Sequence, residues 1–160
     1  INNLISKIIK PLTNLNIQFI WQTGPKHYNQ FESFENKFVK VLPFVENMAN
    51  AYAISDLVIC RSGALTCSEI TYCGKPSILL PLKNSAGDHQ KKNAESLSKN
   101  GAAIIAEESS LANEDFIKLI DDLINSEKKL KKMAANSLNL RYPNAVSEIS
   151  ESAMRLIKNV

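Results

Sequence analysis

The sequence has few of the residues that build metal centres or disulfide frameworks. It contains two histidines and three cysteines, and the spacing of Cys60, Cys67 and Cys73 matches no zinc-binding pattern. An odd number of cysteines argues against a disulfide framework. These side chains are therefore expected to be buried free thiols in a reducing compartment.

Several motifs that define enzyme and membrane proteins are also missing. The sequence has no P-loop, no Gly-x-Gly-x-x-Gly fingerprint and no Gly-x-Ser-x-Gly elbow, so protease, kinase and dehydrogenase hypotheses lack essential parts. No apolar run reaches the roughly 18 residues that a membrane-spanning helix requires, and no signal peptide is recognisable. No basic stripe interleaved with aromatic residues occurs, so nucleic-acid binding is not expected.

What remains is the composition of a single globular domain. The 160 residues are 44% apolar and 22% charged, and no linker or low-complexity segment divides residues 1–160. The lysine-rich run 127–132 is expected to be a solvated helix face, with attraction to an anionic membrane surface as the alternative. Because the first residue, Ile1, already fits a helical pattern, we expect the chain to be part of a longer protein.

Short apolar runs alternate with segments of helical periodicity. Strands are predicted at 17–21, 38–41, 57–60, 77–81 and 102–106. Helices are predicted near the start of the chain and at 27–34, 45–55, 62–74, 89–99, 113–124, 127–138 and 145–158. In the helix at 45–55 the side chains of Met48, Tyr52 and Ala53 are expected to face inward, and the glycine and proline of 74–76 are expected to end the helix before them. This alternation predicts a doubly wound, Rossmann-like parallel α/β sheet, in which ligands bind beyond the carboxyl ends of the strands.

The segment 60–69 carries the strongest functional signal. A predicted buried strand runs into a helix start, where free backbone N–H groups and the helix dipole suit a diphosphate. Gly63 permits close approach of a ligand, Ser62 is expected to cap the helix, and Thr66 adds a hydroxyl. Glu69 could accept hydrogen bonds from two ribose hydroxyls. In the alternative interpretation, Ser62 only caps the helix and Glu69 is only solvated.

Two further candidate segments follow other strand ends. His89, Gln90 and Asn93 lie near a helix start, from which they could hydrogen-bond to sugar hydroxyls. A histidine in this position is more often a cap or a surface residue. Phe44 could lie against a planar base whose edge contacts the Val45 backbone, although the sequence alone favours a core position for Phe44.

Together, these segments closely resemble the MurG family along essentially the whole chain. The most specific match is the run from Arg61 to Thr66 with Ser68 and Glu69, supported by segments 22–24, 44–48, 74–76 and 89–94. The resemblance implies the donor-binding half of a GT-B glycosyltransferase that transfers GlcNAc, with inversion, from UDP-GlcNAc to an undecaprenyl-linked muramyl-pentapeptide in peptidoglycan synthesis. It also implies a cytoplasmic protein at the inner face of the bacterial plasma membrane.

The resemblance further implies roles for individual residues in nucleotide binding. Glu69 is expected to bind the ribose, and the Val45 backbone to contact the uracil in a pocket lined by Phe44 and Met48. The backbone beside the phosphates is expected at Ala64, Leu65 and Thr66, next to Ser62 and Gly63.

Roles on the sugar side follow in the same way. His89 and Gln90 match positions that contact the GlcNAc hydroxyls, although some relatives carry glutamine at the first of these. Asn93 matches a position that is either structural or sugar-facing. No metal or other cofactor is expected, because the helix dipole can stabilise the departing diphosphate.

The resemblance also implies that parts of the family's protein are missing here. Its first strand, which lies between its second and fourth strands, its Gly-Gly-Ser loop and its acceptor domain with the general base are not in this sequence. We therefore expect a gap in the sheet and no catalytic residue in this chain. Two alternatives remain: a partner-dependent, non-catalytic subunit of a related two-chain GlcNAc transferase, or an unrelated doubly wound binding domain.

Overall fold

The computed structural model describes residues 1–83, 85–108, 110 and 112–158. Strands and helices alternate along them, which confirms the expected α/β class. The strands are β1 (Phe19–Gln22), β2 (Val39–Leu42), β3 (Val58–Cys60), β4 (Ser77–Leu79) and β5 (Ala103–Ile105). The helices are α1 (Asn2–Asn14), α2 (Tyr28–Phe31), α3 (Met48–Ile54), α4 (Ala64–Tyr72), α5 (His89–Lys99), α6 (Asn113–Ile124), α7 (Glu127–Asn139) and α8 (Ala145–Lys158).

The strands are parallel but form two separate sheets. In one sheet β1 pairs with β2, with Phe19 opposite Val39. In the other, β4 lies between β3 and β5. Among the residues that the structure describes, no strand pairs with the second edge of β1 or of β3. The sheet is thus divided between β1 and β3, where the resemblance to the MurG family implied an unfilled strand position.

One apolar core nevertheless extends across both sheets. Helix α1 supplies one face of buried side chains at helical spacing, namely Leu4, Ile5, Ile8, Ile9 and Leu12. They pack in one cluster with Trp21 of β1 and Ile78 of β4, which belong to different sheets. Each buried Leu or Ile contributes roughly 1.5–3 kcal/mol relative to exposure. Side-chain packing therefore connects the two sheets where backbone pairing does not.

A second apolar cluster packs α3, α4 and α5 against β4 and β5. Tyr52 of α3 lies inward, as predicted, with 6% of its surface exposed. Ala53 was predicted inward and is exposed, because only one face of this short helix is covered. The helix begins at Met48 rather than at 45, and the side chain of Asn47 caps it by accepting a hydrogen bond from the Asn50 N–H.

The three cysteines are free thiols, as expected, but only Cys67 is buried. Cys60 and Cys73 are half-buried. Burial raises the pKa of the Cys60 thiol to about 12 and also raises the pKa of Cys67. Both groups are therefore protonated and poorly nucleophilic at neutral pH.

The last two helices differ in character. The lysine run lies on α7 with exposed side chains, and Lys131 pairs with Glu127 one turn away at 2.5 Å, as in a solvated helix face. Helix α8 instead exposes large apolar side chains: Val146, Ile149, Met154, Leu156 and Ile157. Across the described ranges, no helix is both long and apolar enough to cross a membrane.

Candidate functional site

The amino terminus of α4 is the clearest candidate for binding an anion. The helix begins at Ala64, and the N-cap, Gly63, provides no side chain. The Cys67 N–H donates to the Gly63 carbonyl at 2.9 Å, whereas the three N–H groups of the first turn, on residues 64–66, find no acceptor in the described part of the chain. Leu65 is 81% exposed beside them. Unpaired donors at the positive end of a helix dipole favour a bound anion.

Gly63 is not required by the folded chain itself. Its φ of −62° and ψ of 150° are available to any residue. A Cβ added here would meet only the Thr66 Oγ1, at an ordinary 3.8 Å. The glycine therefore leaves open space directly beside the unpaired N–H groups.

Ser62 was predicted to cap the helix and to lie beside the phosphates of the ligand. Its side chain is completely buried, and its hydroxyl donates to the Gln90 carbonyl at 2.7 Å. Helix α4 begins two residues later and has no side-chain cap, so the capping prediction is wrong. The hydroxyl is committed to a residue 28 positions along the chain, and it is therefore not available to a ligand.

A second hydrogen bond, donated from α5 to a residue just before α4, also joins the starts of these two helices. The Asn93 Nδ2 donates to the Ser62 carbonyl at 3.0 Å, which favours the structural alternative for Asn93. Gln90 uses its side-chain oxygen to accept from the Leu82 N–H at 2.9 Å. Its amide N–H groups donate to no acceptor among the described residues and therefore remain for a ligand. His89 is exposed at the first position of the helix.

Glu69 lies on the same helix as the unpaired N–H groups and is exposed. The Tyr52 Oη donates to its Oε2 at 2.9 Å. Burial, together with the neighbouring carboxylate, raises the pKa of Tyr52, so its hydroxyl stays protonated and can donate. A pocket of about 440 Å³ adjoins this pair, and Met48 and Tyr72 are among the residues that line it. Sequence reasoning placed Tyr52 inward but did not identify it as a site residue.

The loop after β2 presents the remaining candidates. Phe44 is 63% exposed, so the core position that the sequence alone favoured is wrong. Val45 is buried, and its N–H donates to the Gln22 Oε1 at 2.8 Å, at the end of β1. Within the described residues its carbonyl accepts no hydrogen bond. Met48 is half-buried at the first position of α3.

Arg61 connects the ends of the three strands of the second sheet. Its guanidinium donates to the Leu80 carbonyl at 3.0 Å and to Glu108 at 2.5 Å. Burial alone would raise the pKa of Glu108, but hydrogen bonds to its side chain, including the one from Arg61, outweigh burial and lower that pKa. Sequence reasoning did not assign Arg61 a role, although it lies in the most specific motif. No group of three His, Cys, Asp or Glu side chains that could hold a metal is present in the described ranges.

The family model of the glycosyltransferase family 28 C-terminal domain matches residues 1–152. The chain belongs to this family. It is similar to curated proteins named UDP-N-acetylglucosamine–N-acetylmuramyl-(pentapeptide) pyrophosphoryl-undecaprenol N-acetylglucosamine transferase from several bacteria. It is 35% identical to the protein of Chlorobium phaeobacteroides over 99% of this chain and 44% of the relative. It is 38% identical to that of Flavobacterium psychrophilum over 99% of this chain and 43% of the relative.

The comparison with solved structures agrees with this family assignment. The crystal structure of Acinetobacter baumannii MurG matches with a TM-score of 0.82 and 28% identity, over 96% of this chain and 48% of that chain. The resemblance to the MurG family is thereby confirmed. The glycosyltransferase of kitacinnamycin, at 18% identity and a TM-score of 0.71, shares the fold alone. The chain spans less than half the length of the curated relatives it matches.

Proposed function

We propose that this chain is the UDP-GlcNAc-binding part of an inverting transferase that adds GlcNAc to an undecaprenyl-diphosphate-linked MurNAc-pentapeptide in peptidoglycan synthesis. One observation carries the proposal: α4 combines unpaired N–H groups at residues 64–66 with an exposed carboxylate, Glu69, further along the same helix. The names of the similar curated proteins supply the donor and acceptor classes.

The diphosphate of the donor would lie against the start of α4. The N–H groups of Ala64, Leu65 and Thr66 would donate to its oxygens, and Gly63 would let them approach the backbone. Thr66 could add its hydroxyl, because the serine and threonine hydroxyls of α4 that hydrogen-bond within the described residues are those of Ser68 and Thr71. Because the positive end of the helix dipole is already in place, it would stabilise negative charge on the departing UDP without a metal.

The nucleoside would extend from there along α4. Glu69 lies five residues beyond Ala64, about 7–8 Å along the helix axis, and would accept hydrogen bonds from the ribose hydroxyls. Phe44 and Met48 would line the uracil pocket, and the free carbonyl of Val45 would contact the base edge. The Val45 N–H could do so only after release from Gln22.

The GlcNAc moiety would lie toward the start of α5. Gln90 would donate from its free amide N–H groups, and His89 is exposed beside it. Asn93 and Ser62 would hold this segment against the start of α4 rather than touch the sugar. The two helix starts would then fix the sugar and the diphosphate relative to each other.

The reaction would be a displacement at the anomeric carbon. An acceptor hydroxyl oxygen forms the new bond to that carbon, the bond to the UDP oxygen breaks, and the electron pair leaves with UDP. The base that takes the hydroxyl proton would come from outside this chain. Because the acceptor is lipid-linked, we infer that the whole protein works at the cytoplasmic surface of the membrane.

Calorimetric titration of UDP and UDP-GlcNAc into the chain tests the proposal. We expect both to bind, and Glu69→Ala to weaken binding by about 1.5–3 kcal/mol, tenfold or more, because a charge-assisted hydrogen-bonding partner of the ribose is lost. The matched control is Glu151→Ala, which removes another exposed helical carboxylate on α8. If a folded parent chain binds neither ligand, the proposed function is wrong.

A further inference from the structure

The hydroxyl of Tyr52 is held in one place by the packing of its ring. Tyr52 is 6% exposed and lies in the apolar cluster with Cys67 and Ile70 of α4. At the edge of this cluster the Oη donates to the Glu69 Oε2 at 2.9 Å. A buried ring has little rotational freedom, so its hydroxyl is a fixed donor beside a flexible carboxylate.

If Glu69 is to bind both hydroxyls of a diol in one geometry, a fixed hydrogen-bond donor has to orient its carboxylate. It is exposed on α4, and in the described part of the chain no group other than Tyr52 hydrogen-bonds to its side chain. One bond to Oε2 orients the carboxylate group. It leaves Oε1 and a second acceptor position on Oε2 for a ligand.

We propose that Tyr52 is a positioning residue for nucleotide binding, whose hydroxyl orients the Glu69 carboxylate to accept hydrogen bonds from both hydroxyls of a ribose. The inference rests on the proposed function, because it takes the ligand of Glu69 to be a ribose. It adds a residue that lies 17 positions from Glu69 in the chain and that would act on the ribose through Glu69.

The test is the binding of UDP and of 2′,3′-dideoxyuridine diphosphate to the parent chain and to Tyr52→Phe, measured by calorimetry. Phenylalanine keeps the buried ring and removes only the donor. We expect UDP to bind about three- to tenfold more weakly to the variant, and the dideoxy ligand to bind both proteins equally. In Tyr52→Phe/Glu69→Ala, the tyrosine change should add nothing to the loss caused by Glu69→Ala.

Tyr28→Phe is the matched control, because it also removes one tyrosine hydroxyl, but Tyr28 lies on α2 against the first apolar cluster and does not line this pocket. It should leave the affinity for both ligands unchanged. Equal weakening of UDP and of the dideoxy ligand by Tyr52→Phe would overturn the inference, since it would show a general effect on the pocket. An unchanged UDP affinity would also overturn it. A parent chain that binds no UDP would refute the proposed function first, and the inference with it.

Discussion

The two ends of α4 both carry a glycine, and the two glycines serve different purposes. Gly74, just past the last turn, has a φ of 62°, and a Cβ there would come within 2.0 Å of the Leu138 Cδ1. Gly63, at the N-cap, has an ordinary backbone and open space around it. The folded chain itself therefore requires glycine at one end of the helix only. We infer that the other glycine is required by a ligand.

The largest expected effect is on stability, at Gly74. In Gly74→Ala, the left-handed backbone becomes unfavourable and the Leu138 side chain on α7 has to move. We expect a loss of about 2–4 kcal/mol of unfolding free energy, measured by urea denaturation. Because the change lies at the end of α4 remote from the unpaired N–H groups, the affinity of the remaining folded protein for UDP should be unchanged.

In contrast to Gly74→Ala, Gly63→Ala should weaken ligand binding and leave the stability nearly unchanged. The new methyl group would occupy the space through which a diphosphate approaches the N–H groups of residues 64–66. We expect the affinity for UDP-GlcNAc to fall by about ten- to hundredfold in calorimetric titration. The unfolding free energy should change by less than about 0.5 kcal/mol, because the weaker cap is offset by a less flexible unfolded chain.

Comparing Gly63→Ala with Gly74→Ala tests whether Gly63 is required by a ligand or by the fold. If Gly63→Ala were destabilising and still bound UDP-GlcNAc normally, the start of α4 would be a structural turn like its other end. If both variants lost stability and affinity together, the two effects could not be separated. That result would refute the inference that Gly74 serves the fold and Gly63 serves ligand binding.

The fold was largely predictable because it depends on local patterns. Helices α5 and α6 begin and end at the predicted residues, and α8 begins at its predicted residue, since their apolar periodicity lies within the segments themselves. The stop of α4 was predicted in the same way from 74–76, where glycine and proline end the helix. The division of the sheet followed from the resemblance to the MurG family and not from any local pattern.

The site was less predictable because its contacts join distant segments. The pair of Tyr52 and Glu69 requires α3 to pack on α4, and no periodicity within either helix indicates it. Ser62 was taken for a cap because capping is a local rule, whereas its real acceptor lies on another helix. Phe44 was assigned to the core because apolar character is visible in the sequence, whereas exposure depends on what the rest of the chain covers.

The smallest expected effect tests whether Ser62 supports the site without touching the ligand. In Ser62→Ala, the bond to the Gln90 carbonyl is lost, while the Asn93 Nδ2 can still donate to the backbone carbonyl of residue 62. We expect a loss of about 1 kcal/mol in unfolding free energy, because one buried hydrogen bond is removed. In the proposed binding mode UDP would not reach the start of α5, so its affinity should stay the same. UDP-GlcNAc should bind slightly more weakly. Ser147→Ala is the control, because Ser147 is an exposed serine of α8 whose hydroxyl donates to the nearby Asn144 carbonyl. Equal weakening of both ligands by Ser62→Ala would show that Ser62 acts on the diphosphate site, and that the two helix starts are not separate in function.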